Sequence, residues 1–341
     1  MSPDFIAAPA PAPAPDPLLR DVVLTHTVQL PVLGIVTRFE TNSRDVGALV
    51  EETFGGWRCV AGDTGGPSAV RVRIVVHEGG EHGDGHAPVR HICPDATRLI
   101  VHSPGSVAVS DPDRAEAVAY VSSALAADRA HFRAAMLEAV TLALLSHFDR
   151  HPVHAAAVAC RGRAVLLAGP SGSGKSTLAY LAHEAGEGFD VLSDDRVWVQ
   201  LEPRLRVWGW PGRARLLPDA ASHFPDVARR GVLARVDGKE KLVVELPYDG
   251  APAARHSAGR ATVCLLARGD GRVELERLAP AAIERALTRQ PDAGFDRFPV
   301  RHEAVVRALA AQGGWRLTLS RDPREALPLL HRMLRDEGAA D

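Results

Sequence analysis

The chain has 341 residues, 46% of them hydrophobic and 24% charged, with a formal net charge of −2. This length predicts two domains or one large one, and the composition excludes global disorder, collagen, coiled coil and a disulfide scaffold. The charge leaves no basic field for nucleic acid, and no apolar run approaches the roughly 18 residues that span a bilayer. The first residues lack the basic start and apolar core of a secretory leader. Cys59, Cys93, Cys160 and Cys264 are scattered, with no CxxC pair. A reducing cytoplasm is therefore the expected compartment. His77, His82, His86 and His91 lie loosely in a glycine-rich stretch, and such spacing is weak evidence for a metal site. Of the 40 basic residues only Lys175, Lys239 and Lys241 are lysine. A lysine in so arginine-rich a chain asks for a reason.

Residues 1–17 form an Ala/Pro-rich tail that cannot bury enough apolar surface to order itself. Residues 18–110 read as a small α+β domain. Strands are predicted at Val22–Val28, Gly34–Phe39, Val70–Val76, Leu99–Val101 and Val107–Val109, with a helix over Asn42–Phe54 and a flexible loop over Glu78–His86. Residues 111–150 read as a helical connector. Asp111-Pro112 offers an N-cap and an N1 proline for a helix to about Ala127. A second helix runs to Phe148, with Phe132, Met136, Val140 and Leu144 in one stripe broad enough for burial between two layers.

From residue 151 to 341 the pattern is α/β. Ala155–Cys160 and Ala164–Ala168 form a hairpin into a core strand. Further strands are predicted near Val191–Ser193, Val197–Leu201, Leu205–Trp208, Leu242–Leu246, Thr262–Ala267, Val273–Leu278 and Trp315–Leu319. Helices follow near Ala281–Thr288 and Glu303–Ala311. A last helix is capped by Asp322 and opened by Pro323.

Between the core strand and the helix Thr177–Glu184 stands Gly169-Pro170-Ser171-Gly172-Ser173-Gly174-Lys175-Ser176, followed by Thr177. This is the G-x-x-x-x-G-K-[ST] phosphate loop in its strand–helix context. The glycines let successive N–H groups point inward at phosphate oxygens, and the helix start adds partial positive charge. Lys175 supplies a point charge for the β/γ-phosphates, and the Ser176 hydroxyl a ligand for Mg²⁺. Downstream, Ser193-Asp194-Asp195-Arg196-Val197 puts two carboxylates at a strand end. One of the pair can hold the metal and the other can accept a proton from an attacking hydroxyl. Adjacent strand residues point to opposite faces, so both reach one site only at a bulge or strand end.

The run from His154-Ala-Ala-Ala-Val through GPSGSGKS to SDDRV resembles the catalytic core of the HPr kinase/phosphorylase family over roughly His151 to Leu246. The resemblance implies a P-loop kinase core of the HPr kinase/phosphoenolpyruvate carboxykinase type, with the smaller α+β domain in front. It implies a histidine, His154, paired with the first aspartate, Asp194, as the base that activates a substrate serine. It implies Asp195 and Ser176 at the metal, Mg·ATP on Gly169–Thr177, and an oligomer. The segment Trp208-Gly-Trp-Pro-Gly-Arg213 has no carboxylate where bifunctional members carry one, so phosphorylase activity is not implied. That segment is more similar to the shorter relatives of ribosomal peptide pathways, among them kinases of the C-terminal serine of lasso-peptide precursors.

The function expected is ATP-dependent phosphorylation of a serine in a peptide or small protein, with no nucleic-acid or membrane partner. A small-metabolite kinase and a non-catalytic nucleotide-dependent regulator are the alternatives. Lys239 and Lys241 read equally as a phosphate-reaching loop or a solvated turn. Arg213 and Arg215 read as anion ligands or as an exposed strand face.

Overall fold

The computed structural model describes residues 21–60, 70–79, 86–95, 97–210, 212–236, 239–246, 256–289 and 299–335. The tail over residues 1–17 and most of the Glu78–His86 loop lie outside them.

The N-terminal part contains β1 (His26–Val32), β2 (Ile35–Thr41), α1 (Arg44–Phe54), β3 (Val70–His77), β4 (Arg90–Ile92), β5 (Leu99–Ser103), β6 (Ser106–Asp111) and β7 (Glu116–Ser122). These strands make a seven-stranded mixed sheet in the order β1-β2-β3-β7-β6-β5-β4. Ser43 caps α1 by accepting from the Val46 N–H.

One expectation fails here. The helix expected from Asp111 is a single 3₁₀ turn, Pro112–Arg114, closed by Ala115 at φ 51°. The chain then enters β7, parallel to β3 and antiparallel to β6. Ala117, Ala119 and Val121 all point inward, a period-two pattern that satisfies the sheet's hydrogen bonds. Tertiary pairing overrides the helix propensity of an alanine-rich stretch.

Helices α2 (Ser123–Ala127), α3 (Arg129–Phe132) and α4 (Glu138–Ser146) follow, joined by a π-helical turn at Arg133–Leu137. Phe132, Met136, Leu137, Val140, Leu144 and Leu145 are buried in the same core as the seven-stranded sheet. The expected connector thus packs as a layer of the N-terminal part.

The second part holds β8 (His151–His154), β9 (Ala156–Cys160), β10 (Arg163–Ala168), α5 (Lys175–Ala185), β11 (Asp190–Ser193), β12 (Arg196–Gln200), β13 (Arg206–Trp208) and β14 (Arg213–Leu216). It continues with α6 (Pro225–Arg230), β15 (Val232–Val236), β16 (Lys239–Glu245), β17 (Ser257–Ala258), β18 (Arg260–Arg268) and β19 (Glu274–Leu278). Last come α7 (Pro280–Thr288), α8 (Pro299–Ala310), β20 (Gly314–Leu319) and α9 (Leu327–Arg335). Its main sheet runs β11-β9-β10-β18-β20-β19, with β10, β18 and β20 parallel. Val165, Leu166, Leu167 and Ala168 of β10 are all buried, because helices cover both sheet faces. Leu178 of α5 and Leu330 and Met333 of α9 pack on one face; Ile283 of α7 and Val305 and Leu309 of α8 pack on the other. Two small sheets, β17-β13-β12-β8 and β14-β16-β15, flank it.

The two parts are joined through tryptophan. Trp208 of β13 is fully buried within the N-terminal core, near Trp57 at 6.2 Å between ring centroids. Its indole N–H donates to Gln200 Oε1 at 2.8 Å. The Arg150 guanidinium lies 5.1 Å from the Trp208 ring, and its Nε donates to the Leu33 carbonyl at 2.7 Å. Gly34, at φ +77°, turns the β1–β2 hairpin against this ring. A Cβ there would lie 2.3 Å from Trp208 Cη2, so only glycine fits.

Candidate functional site

The site grows from the end of β10. Parallel strands of an α/β sheet expose their carboxyl ends to ligands, and β10 runs there directly into the phosphate loop. Gly172 and Gly174 take φ +85° and +103°, left-handed values that curl the loop and lead into α5 at Lys175. Leu319 at the end of β20 closes the space beside the loop: a Cβ on Gly174 would meet its Cδ1 at 2.7 Å.

The Lys175 ammonium is folded onto its own loop, donating to the carbonyls of Gly169 at 2.7 Å and Pro170 at 3.2 Å. Burial pushes its pKa down, Asp195 pulls it back up, and Lys241 and Lys239 push it down further. Ser176 Oγ donates to the Asp194 carbonyl at 3.3 Å. Lys239 Nζ donates to Ser171 Oγ at 2.8 Å, and Arg268 Nε donates to the Gly172 carbonyl at 2.7 Å.

A cleft of about 340 Å³ opens beside the loop. Lys175, Arg196, Arg215, Lys239, Lys241 and Arg268 line it, against two carboxylates, Asp195 and Asp219. All three lysines of the chain therefore face one cavity. An excess of cations this dense is costly unless a polyanion shares the space. An ammonium serves there as a compact point charge beside phosphate.

The two aspartates part company. They sit at a bend between β11 and β12, and only Asp195 turns into the cleft. Asp195 Oδ1 lies 3.3 Å from His154 Nε2, and that partner holds its carboxyl well below the usual carboxylate range. Asp194 is 2% exposed. Its Oδ2 accepts from the Arg215 N–H at 2.6 Å, and its Oδ1 lies 3.4 Å from Arg215 Nη1. Burial raises its pKa, and the Arg215 guanidinium opposes the rise. The expected pairing of His154 with Asp194 is therefore corrected: His154 meets Asp195. Neighbouring residues project oppositely, and the bend brings one of the two to the cavity.

Of the other expected residues, Ser171, Gly172, Gly174, Ser176 and Thr177 line the cleft with Lys175 and His154. Arg215 lines it as well. Arg213 pairs instead with Glu245 across the β14–β16 ribbon, with Nε 2.7 Å from Oε1. The sequence reading missed Arg196, Asp219 and Arg268. Arg268 ends β18, the parallel neighbour of β10; that adjacency is the signal, and it appears only once the strand order is known. Glu138 was missed too. It projects from α4 of the N-terminal part, and burial raises its pKa against the pull of Arg133, Arg213, Arg215 and Arg196.

Among the described residues no helix is long and apolar enough to cross a membrane. No group of three or more His, Cys, Asp or Glu there forms a ready metal cage.

No family model matches the chain. Among solved structures, the HPr(Ser) kinase/phosphatase from Coxiella burnetii aligns over 54% of this chain and 87% of that one, with 13% identity and a TM-score of 0.27. Among curated proteins, the chain is 31% identical over 194 residues to a tRNA dimethylallyltransferase of Rhodopseudomonas palustris (strain BisB18). That match takes in 52% of this chain and spans 60% of the relative's length.

Proposed function

We propose that this protein transfers the γ-phosphoryl group of Mg·ATP to a serine hydroxyl of a peptide or small protein. The observation that carries the reading is the His154–Asp195 pair, which faces the same cleft as Lys175 and Ser176 of the phosphate loop. A switch that only binds nucleotide has no need of a proton-accepting pair beside the transferable phosphate.

The loop amides, Lys175, Lys239 and Arg268 would hold the polyphosphate. The donor set also suits Mg²⁺, a hard cation that takes oxygen ligands from one or two protein groups and completes its shell with phosphate and water. Ser176 Oγ and the Asp195 carboxylate would hold it, and when bound it neutralises charge on the phosphoryl group. The acceptor hydroxyl loses its proton to the His154–Asp195 pair. The imidazole takes the proton, and the carboxylate stabilises the imidazolium that forms. Phosphoryl transfer passes through a loose transition state, so the proton moves late and a weak base suffices. Lys175 and Arg215 stabilise charge on the equatorial oxygens. Asp194 acts through Arg215, holding the β14 backbone and guanidinium at the cleft wall.

The test is incubation with γ-labelled ATP and serine-bearing peptides. Label on serine supports the reading. Label on a small metabolite alone would replace it with the metabolite-kinase alternative. Slow release of inorganic phosphate with nucleotide-dependent partner binding would replace it with the regulator. A tRNA substrate, as in the name of the curated relative, is disfavoured by the net charge of −2.

A further inference from the structure

In the β15–β16 ribbon, β16 brings Lys239 and Lys241 to the cleft, and β15 is a strand that the phosphate-loop chemistry leaves unexplained. β15 pairs with β16 in the register Val232↔Val243 to Val236↔Lys239, and among the described residues it is the last strand of its sheet. In an antiparallel pair, alternate residues turn their N–H and C=O away from the partner strand, so among the described residues β15 offers an open backbone ladder. Val232 is 69% exposed and Leu233 57% exposed. Successive strand residues face opposite ways, so both faces of the ribbon are uncovered at that point. Proteins ordinarily protect such an edge with charge, proline or a covering segment; β15 carries one charged residue, Arg235, toward the tip, and leaves the apolar Val232 and Leu233 exposed at its other end.

The ribbon also leads into the site. Lys239 stands opposite Val236 at the ribbon tip, and its ammonium reaches Ser171 of the phosphate loop. Lys241, opposite Ala234, lines the cleft. One end of β15 is therefore apolar and open, and the other delivers its neighbour strand to a cleft with an excess of positive charge. An occupant with the complementary order has apolar side chains along β15 and an acidic residue near the end that enters the cleft.

We infer that β15 is the docking edge for the acceptor, which binds as an extended peptide added to the β14-β16-β15 sheet, with its serine carried past the ribbon tip into the cleft. This rests on the peptide-kinase reading above and adds the acceptor's conformation to it. Main-chain bonds supply the affinity, and side chains supply the selectivity. The rise of about 3.3 Å per residue sets the spacing. Val232 is four residues from Val236, so the apolar anchors fall about four to six residues from the phosphorylated serine, on one side of it only.

The experiment is an array of peptides about twelve residues long, each with one serine and degenerate flanks, labelled with γ-labelled ATP by the wild-type chain and by Val232→Lys and Leu233→Lys. Both positions are exposed and outside the cleft, so thermal melting and ATP affinity should match wild type, and a three-residue serine peptide should be labelled equally by all three proteins. The expected result is an apolar preference at two successive positions on one side of the serine, one side chain beside Val232 and the next, on the opposite face, beside Leu233. Labelling of those peptides should fall about tenfold in the variants. An array labelled without that apolar preference, or labelled equally by the variants, overturns the docking edge and leaves the kinase reading intact. A wild-type dimer that Leu233→Lys dissolves assigns the edge to a second copy and also overturns it. ATP binding with no labelled serine anywhere removes the peptide-kinase reading and the docking edge with it.

Discussion

The two adjacent aspartates should respond to substitution in opposite ways. Asp194 accepts a 2.6 Å hydrogen bond from the Arg215 N–H and faces the Arg215 guanidinium while almost fully buried. Asp194→Asn keeps an oxygen for the N–H but removes the charge. A hydrogen bond to a charged group is worth about 1.5–3 kcal/mol and a neutral one about 1, so the loss should be about 1–2 kcal/mol. The Arg215 side chain is 31% exposed and can hydrate in part, which keeps the cost below the 3–5 kcal/mol of breaking a fully buried pair. Asp194→Ala also strands the N–H and opens a small void, for about 2–4 kcal/mol. Turnover should fall by roughly tenfold in Asp194→Asn, through a displaced Arg215. Asp195→Asn, in contrast, should melt within about 1 kcal/mol of wild type, its side chain being 30% exposed, yet lose about 10³-fold or more in phosphoryl transfer. Urea melts and initial rates with labelled ATP, run on all three variants, decide the matter. An Asp194→Asn protein that melts like wild type but is inactive, beside an active Asp195→Asn, would refute the assignment.

Other outcomes follow from the same geometry. Lys175→Met should lose phosphoryl transfer by about 10²-fold or more, and isothermal titration with Mg·ATP should show the weakened binding. Lys239→Ala, which frees the Ser171 hydroxyl, should raise the KM for ATP by about five- to fiftyfold and change kcat less. Gly34→Ala forces a methyl into the Trp208 ring at a positive φ, and a denaturant melt should show a loss of about 3 kcal/mol. Burial depresses His151 and His256 to a pKa of about 4, against about 6.5 in an unfolded chain. Both are neutral in the native state, so their contribution is full above about pH 6.5 and is lost as pH falls toward 4, by up to about 1.4 kcal/mol per unit for each. Urea melts between pH 7.5 and 4.5 should show that slope, and a flat profile would contradict it.

The phosphate loop was legible because its chemistry is local. Gly169 to Thr177 needs a strand before it, a helix after it and glycines between, and all of that lies in consecutive residues. The scarcity of lysine was legible too, but for Lys239 and Lys241 it left a phosphate-reaching loop and a solvated turn equally open, and only the fold brings them to one cleft with Lys175. β7 was not legible. Glu116–Ser122 reads as helix by propensity, and only its pairing with β3 and β6 makes it a strand.

By itself, the sequence determined an α/β second part built around a strand, a glycine-rich loop of the G-x-x-x-x-G-K-[ST] pattern and a helix, two acids downstream and a histidine upstream. The tertiary structure decided which acid faces the cleft, that His154 meets Asp195, and that Arg268, Asp219 and the tip of the β15–β16 ribbon complete the wall. The division has a physical cause. Backbone curvature and periodicity are set within a few residues, whereas the direction of a side chain at a bend and the neighbours of a strand are set by segments far away in the chain.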